Sequence, residues 1–199
     1  MKNACLIGID EAGRGPLAGP VSVGAFAVKS RQTLRKFRGV KDSKQLSEKQ
    51  REEWFALIQA MAKKGEVAYA VAFARSETID GRGLTHAIYS ALNRTLSRLE
   101  AQGIRCFDAT ILLDGSLYAS ARYVDQTTII DGDAKEPIIA LASICAKVLR
   151  DRRMKKLARL FPQYGFDVHK GYGTKAHYAA IKKHGLIADH RRSFLTKLL

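Results

Sequence analysis

Asp10, Glu11 and the glycine-bearing turn GRGPLAGP lie between an apolar run, Cys5 to Ile9, and an alternating one, Val21, Val23, Ala25 and Ala27. The first run reads as a buried strand and the second as a strand with period two. Two strands joined by a turn leave no room for a helix after the glycines. That matters because Gly13-Arg14-Gly15-Pro16-Leu17-Ala18 satisfies the G-x-G-x-x-G/A pattern of dinucleotide-binding turns. The pattern works only when a helix starts at the turn and its N-terminus holds the pyrophosphate. Here Pro20 and VSVGAFAV follow, and two carboxylates precede the loop, so the dinucleotide reading is excluded.

Further along, Ser47 and Gln50 form a capping-box pair ahead of Trp54, Leu57, Ile58 and Met61, which repeat at helical spacing until Gly65. Val67, Tyr69, Val71 and Phe73 alternate as a strand. Leu84, Ala87, Ile88, Ala91, Leu92, Leu96 and Leu99 mark a long helix that closes near Gly103. ATILLD and TTIID are apolar runs that end in acid. Glu136 to Leu160 reads as one helix, with Pro137 in its first turn. FPQYGFDVHKGYGT is a glycine-rich aromatic loop, KAHYAAIKKHG a short helix, and HRRSFLTKLL a basic helical tail. Strands alternating with helices over 199 residues predict one α/β domain, residues 1–199, with a small helical region from about residue 161 onward.

Three apolar runs thus carry acids at their ends: Asp10 and Glu11, Asp114, and Asp131 with Asp133. Yet the chain as a whole is basic, with 34 Lys and Arg against 19 Asp and Glu and a formal charge of +15. If the three strands lie side by side with those ends together, Asp10, Glu11, Asp114 and one or both of Asp131 and Asp133 converge. Adjacent acids repel, and hard divalent cations with oxygen ligands relieve that repulsion. Four such carboxylates can hold two Mg²⁺ or Mn²⁺ ions about 4 Å apart for phosphodiester hydrolysis. A basic surface around an acidic metal centre suits a nuclease, whose lysines and arginines hold the polyanion.

These residues resemble the type 2 ribonucleases H, the ribonuclease HII family. GIDEAGRGPLAGPV, KDSKQLSEKQRE, LLDGS, DGDAKEPIIALASICAKVLRD, FPQYGFDVHKGYGT and HRRSF match its motifs in order along nearly the whole chain. The resemblance implies a ribonuclease H-like fold, a mixed central sheet flanked by helices. It also implies a metal-dependent endonuclease that hydrolyses the RNA strand of RNA/DNA hybrids and cuts 5′ to single ribonucleotides in duplex DNA, starting ribonucleotide excision repair. The family's catalytic and metal-holding acids carry over to Asp10, Glu11, Asp114 and Asp133, for Mn²⁺ or Mg²⁺. Its loop that contacts the ribonucleotide's 2′-hydroxyl region carries over to Gly13, Arg14 and Gly15. Its phosphate contacts carry over to Ser43 and Lys44, and its tyrosine, which stacks on the deoxyribose after the ribonucleotide, to Tyr172. The region from about residue 161 becomes a substrate-binding extension.

Two departures stand out. The family commonly has Lys-Gly-Asp where this chain has Asp131-Gly132-Asp133, and an asparagine that usually lies near Arg82-Gly83 is missing. An inactive nucleic-acid-binding protein on the same scaffold is therefore the rival reading. Lys147 and Arg150 are placed to touch substrate or support the acids. His169, His177, His184 and His190 lack the spacing of a zinc helix and read as surface or substrate-adjacent residues. Cys5, Cys106 and Cys145 have no disulfide or metal spacing. With no membrane-length apolar run and no signal peptide, a cytoplasmic monomer is expected. No sliding-clamp motif follows HRRSF, so a clamp partner is not expected.

Overall fold

The computed structural model describes residues 5–40 and 43–196. Five strands, β1 (Leu6–Ala12), β2 (Val21–Val28), β3 (Val67–Ala74), β4 (Thr110–Asp114) and β5 (Gln126–Ile129), form one sheet in the order β3-β2-β1-β4-β5. β1, β2 and β3 are antiparallel neighbours, whereas β4 runs parallel to β1 and β5 parallel to β4. The strand after the glycine turn is therefore real, and the helix that a dinucleotide site requires is not there. The helices are α1 (Glu48–Lys63), α2 (Ser76–Arg82), α3 (Leu84–Glu100), α4 (Gly132–Lys135), α5 (Pro137–Leu160), α6 (Phe166–His169) and α7 (Lys175–His184).

Ser47 caps α1 as the sequence predicts: its hydroxyl accepts from the Gln50 amide while the Gln50 side chain accepts from the Ser47 amide. The short α2 was not legible as a helix. It is a single run of seven residues, SETIDGR, that buries only Ser76 and Ile79, so it carries no helical stripe. The predicted helical tail is instead extended at His190, which bridges to Ala18, and then turns once as a 3-10 helix over Arg192–Phe194. Residues 197–199 of that expectation lie outside the described residues.

Period two in the strands sends alternate side chains to opposite faces. Ile7, Ile9, Val23 and Ala25 pack with Ala87, Ala91, Leu92 and Leu96 of α3 on one side. Leu6, Phe26, Val28 and Val71 pack with Phe55 and Ile58 of α1 and with Ile138, Leu141 and Ile144 of α5 on the other. A third cluster, Leu17, Met154, Tyr164, Phe166 and Ile181, seats α6 and α7 against the C-terminal half of α5. The outer edge of β3 is covered by α3 and the turn after it: Arg94 and Arg98 of α3 and Gln102 just beyond its end donate to the carbonyls of Phe73, Val71 and Tyr69. One residue per helical turn thus matches every second strand residue, which removes the acceptors an edge would offer to another chain.

The α5 face is unusually close to the sheet. A Cβ on Gly8 would stand 2.3 Å from the Ile138 carbonyl oxygen, and one on Gly24 2.5 Å from that of Ala142. Glycine at these two positions lets α5 lie directly on β1 and β2. That approach carries Ser143, one turn further along α5, to the end of β1.

Candidate active site

Asp10 and Glu11 are consecutive on a strand, so they must point to opposite faces. Asp10 faces α5. It is 3% exposed, accepts from the Glu11 amide at 2.6 Å and from the Ser143 hydroxyl. The Ser143 hydroxyl is also paired with that of Ser43 at 2.7 Å, where either oxygen can be the donor. Asp114 ends β4 on the same face as Asp10. Its Oδ1 accepts from the amides of Gly132 at 2.7 Å and Asp133 at 3.4 Å. Two amides at the start of α4 therefore fix both the Asp114 carboxylate and the placement of Asp133.

The result is a tight group. Asp10, Asp114 and Asp133 each offer an oxygen within 4.8 Å of the others. Lys44 pairs with Asp133 at 2.9 Å, so Ser43 and Lys44 both reach the group from the turn before α1. Asp131 does not join it: the residue is exposed, in the left-handed region at φ 53°, and leads into α4. Aspartate tolerates this conformation better than a bulky side chain. The acid two residues before Asp133 thus points to solvent.

Glu11 lies on the other face, beside Asp114 but outside the three-carboxylate group. Its Oε1 accepts from Arg14 at 3.0 Å, while its Oε2 is buried with no hydrogen-bond partner among the described residues. Burial, followed by the charge of Glu11, holds the Asp10 carboxyl well above the usual carboxylate range despite the Ser143 bond. Burial also raises Glu11, against the lowering effect of Arg14. Three converging carboxylates, a fourth with a buried unsatisfied oxygen, and raised proton affinities fit the donor set of a hard divalent cation. Asp10, Glu11, Asp114 and Asp133 are the residues that could hold it.

Beside the acids the loop Gly13-Arg14-Gly15 and Tyr172 share a surface. Arg14, Gly15 and Tyr172 are exposed, and a Cβ on Gly15 would stand 3.8 Å from the Tyr172 ring. Gly13 adopts φ 92°, and a Cβ there would overlap the Arg150 guanidinium. Arg150 is fully buried and donates to the carbonyls of Pro20 at 2.9 Å, Lys170 at 3.1 Å and Ala18 at 3.4 Å. It braces the backbone beneath the loop, whereas Lys147 pairs with Asp151 at 2.9 Å.

The histidine expectation needs correction. His177 and His190 are buried, with Nε2 atoms 3.1 Å apart, and His169 stacks on His177 with ring centroids at 4.5 Å. Isolated histidines in a loop and a short helix give no periodic signal of burial; the packing of α6 and α7 onto α5 creates it. Also missed was Arg191, fully buried and bonded to three carbonyls of the glycine turn. The only sequence signal was its place in HRRSF.

A five-stranded mixed sheet of this order, flanked by helices, with acids gathered at the shared end of β1 and β4, is a ribonuclease H-like fold. It is similar to the structure of the PCNA:RNase HII complex from Archaeoglobus fulgidus, with 28% identity, a TM-score of 0.67, and coverage of 93% of this chain and 92% of that one. It shares its fold with Bst-RNase HIII in complex with Mn²⁺, at 24% identity and a TM-score of 0.72 over 96% of this chain and 65% of that one. Residues 7–197 match the family model for Ribonuclease HII. A Ribonuclease HII of Ralstonia nicotianae is 44% identical over 189 residues, 95% of this chain and 76% of that protein. The chain belongs to the ribonuclease HII family and is an endonuclease of the ribonuclease H kind. The family acts on RNA/DNA hybrids.

Proposed function

We propose that the chain is a divalent-metal-dependent endonuclease that hydrolyses the RNA strand of RNA/DNA hybrids and also cuts 5′ to a single ribonucleotide embedded in duplex DNA, starting its removal. The observation that carries this reading is the convergence of Asp10, Asp114 and Asp133 within 4.8 Å, beside the buried free oxygen of Glu11 and next to the exposed Gly15–Tyr172 surface. Mn²⁺ or Mg²⁺ held by the four acids would supply positive charge to activate water and to stabilise the leaving oxygen. Ser143 and the Glu11 amide hold Asp10 in one rotamer, and the α4 amides hold Asp114, so the ligand oxygens are preorganised. Attack of water on phosphorus breaks the P–O3′ bond and leaves a 3′-hydroxyl and a 5′-phosphate.

The loop and Tyr172 supply discrimination. Backbone at Gly13, Arg14 and Gly15 can approach a ribose closely, and the 2′-hydroxyl is the group that distinguishes RNA from DNA. Tyr172, 45% exposed, presents a ring for stacking on the sugar that follows. Lys44 and Ser43 lie where a backbone phosphate would meet the acids. Residues from about 161 onward act as a substrate-binding extension of a monomeric cytoplasmic enzyme.

The test is cleavage of a labelled duplex carrying one ribonucleotide, and of an RNA/DNA hybrid, with Mg²⁺, with Mn²⁺ and with neither. Metal-dependent cutting of both substrates is expected; folded protein that cuts neither in either metal refutes the reading. Binding without turnover would instead favour the inactive scaffold. Asp10→Asn should abolish cutting and leave hybrid binding largely intact, because it removes a metal ligand from beneath an unchanged basic surface.

A further inference from the structure

We propose that His190 and Arg191 are positioning residues that hold the Gly13-Arg14-Gly15 loop and Tyr172 in register with each other, and so set how well the enzyme recognises an RNA-to-DNA junction. This rests on the roles given above to the loop and to Tyr172.

Arg191 uses all three of its guanidinium nitrogens on the glycine turn. Nη2 donates to the Gly13 carbonyl at 2.7 Å, Nη1 to Arg14 at 2.8 Å and Nε to Gly19 at 3.0 Å. Its backbone amide donates to Leu17, and the Leu17 amide in turn donates to Gly171, the neighbour of Tyr172. No carboxylate forms an ion pair with Arg191 among the described residues. Burying a guanidinium costs several kcal/mol unless its hydrogen bonds are satisfied. Here three loop carbonyls satisfy them, and the loop is fixed in return.

His190 reaches the other element. Its Nδ1 accepts from the Ile187 amide at 3.0 Å, so the proton of the neutral ring is on Nε2. That proton is donated to His177 Nε2 at 3.1 Å, which places the His177 proton on Nδ1, where it is donated to the Tyr172 carbonyl at 2.9 Å. The tautomers are mutually consistent, with every ring nitrogen in the path satisfied. Two consecutive residues thus bind the two halves of one reading surface: Arg191 the loop and, through His177, His190 the tyrosine.

The experiment compares kcat/KM on two substrates. A single embedded ribonucleotide needs the loop on its 2′-hydroxyl and Tyr172 on the next sugar together; a uniform RNA/DNA hybrid has a 2′-hydroxyl at every step and no junction. Arg191→Lys keeps the charge but concentrates its donors at one point, and cannot span three carbonyls. His190→Leu removes the donor to His177. Each should lower the ratio of single-ribonucleotide to hybrid cleavage by roughly 10-fold or more, the cost typical of a small misplacement in a preorganised site. His190→Gln, which can restore a donor near Nε2, should recover the ratio. A purely structural role would lower the folded fraction and reduce both rates in proportion. An unchanged ratio in both perturbing variants overturns the proposal, and so does failure of both to fold, since the pair would then belong to the fold. Wild-type protein that cuts neither substrate overturns the functional reading and this one with it.

Discussion

Replacing Asp10 with asparagine should make the metal-free protein more stable while destroying its response to metal. Asp10 is 3% exposed, and its carboxylate shares a space with those of Asp114 and Asp133 in which ligand oxygens lie within 4.8 Å of one another. Two unit charges at that separation repel by about 3 kcal/mol at an effective dielectric of 20. Lys44 offsets part of the field at Asp133, and protonation shared across the group relieves more. Asparagine keeps an acceptor for the Glu11 amide and the Ser143 hydroxyl but carries no charge. A net gain of about 1–3 kcal/mol remains, which for a domain of this size raises Tm by about 2–12 °C. Thermal unfolding in EDTA reads this directly. Adding Mn²⁺ to 100 times its dissociation constant should then stabilise wild type by about 2.7 kcal/mol, whereas the variant should shift far less. If Asp10→Asn in EDTA melts at or below wild type, the carboxylates are not in mutual conflict and the metal-site argument fails.

Other perturbations test other layers. Ser47→Ala removes the hydroxyl half of the reciprocal cap on α1, leaving the Ser47 amide bond to Gln50, and should cost about 1 kcal/mol in urea unfolding; a change below the error of the fit would show the hydroxyl to be redundant. Gly8→Ala drives a methyl into the Ile138 carbonyl, so α5 must lift from β1; insoluble or inactive protein is expected, and a fully active, equally stable variant would contradict the close packing. Burial lowers the pKa of His177 and takes that of His190 to about 4, with His169, Tyr164, Phe166 and Arg191 facing the pair. The folded values lie below the unfolded value near 6.5, so the unfolded chain binds more protons in acid. Stability should therefore hold above pH 6.5 and fall below it, by up to about 1.4 kcal/mol per pH unit from His190 as pH drops toward 4, with a further loss in the same direction from His177. His190→Gln should flatten that slope; an identical slope would place the titration elsewhere.

Much of the chain could be read directly from its sequence because its signals are local. A continuous apolar run marked β1 and alternation marked β2 and β3, the Ser47–Gln50 pair marked the start of α1, and acids at the ends of apolar runs located Asp10 and Asp114. The parallel alignment of β1, β4 and β5 could only be supposed, since strand order depends on non-local pairing. It was needed to bring Asp114 to Asp10. The position of Asp133 was harder, because it comes from the first turn of α4 and not from a strand end, and neighbouring Asp131 looks equivalent on paper. What separates them is a single left-handed residue that turns Asp131 outward. Arg191, His190 and His177 carried no signal of burial, because a buried polar side chain has the same sequence appearance as a solvated one until its partners, far away in the chain, are known.

Those distant partners also give the molecule an order in time. The Gly13-Arg14-Gly15 turn is among the first segments to be synthesised, yet its bonds to Arg191 span 177 and 178 positions of sequence. The early strands can pair as soon as β3 exists, but the turn between the first two must wait for residue 191 before its carbonyls find these donors. A nascent chain can thus possess a sheet and its first acids before the Gly13-Arg14-Gly15 turn is braced, and the discrimination between ribose and deoxyribose proposed for that turn would be one of the last properties the protein acquires.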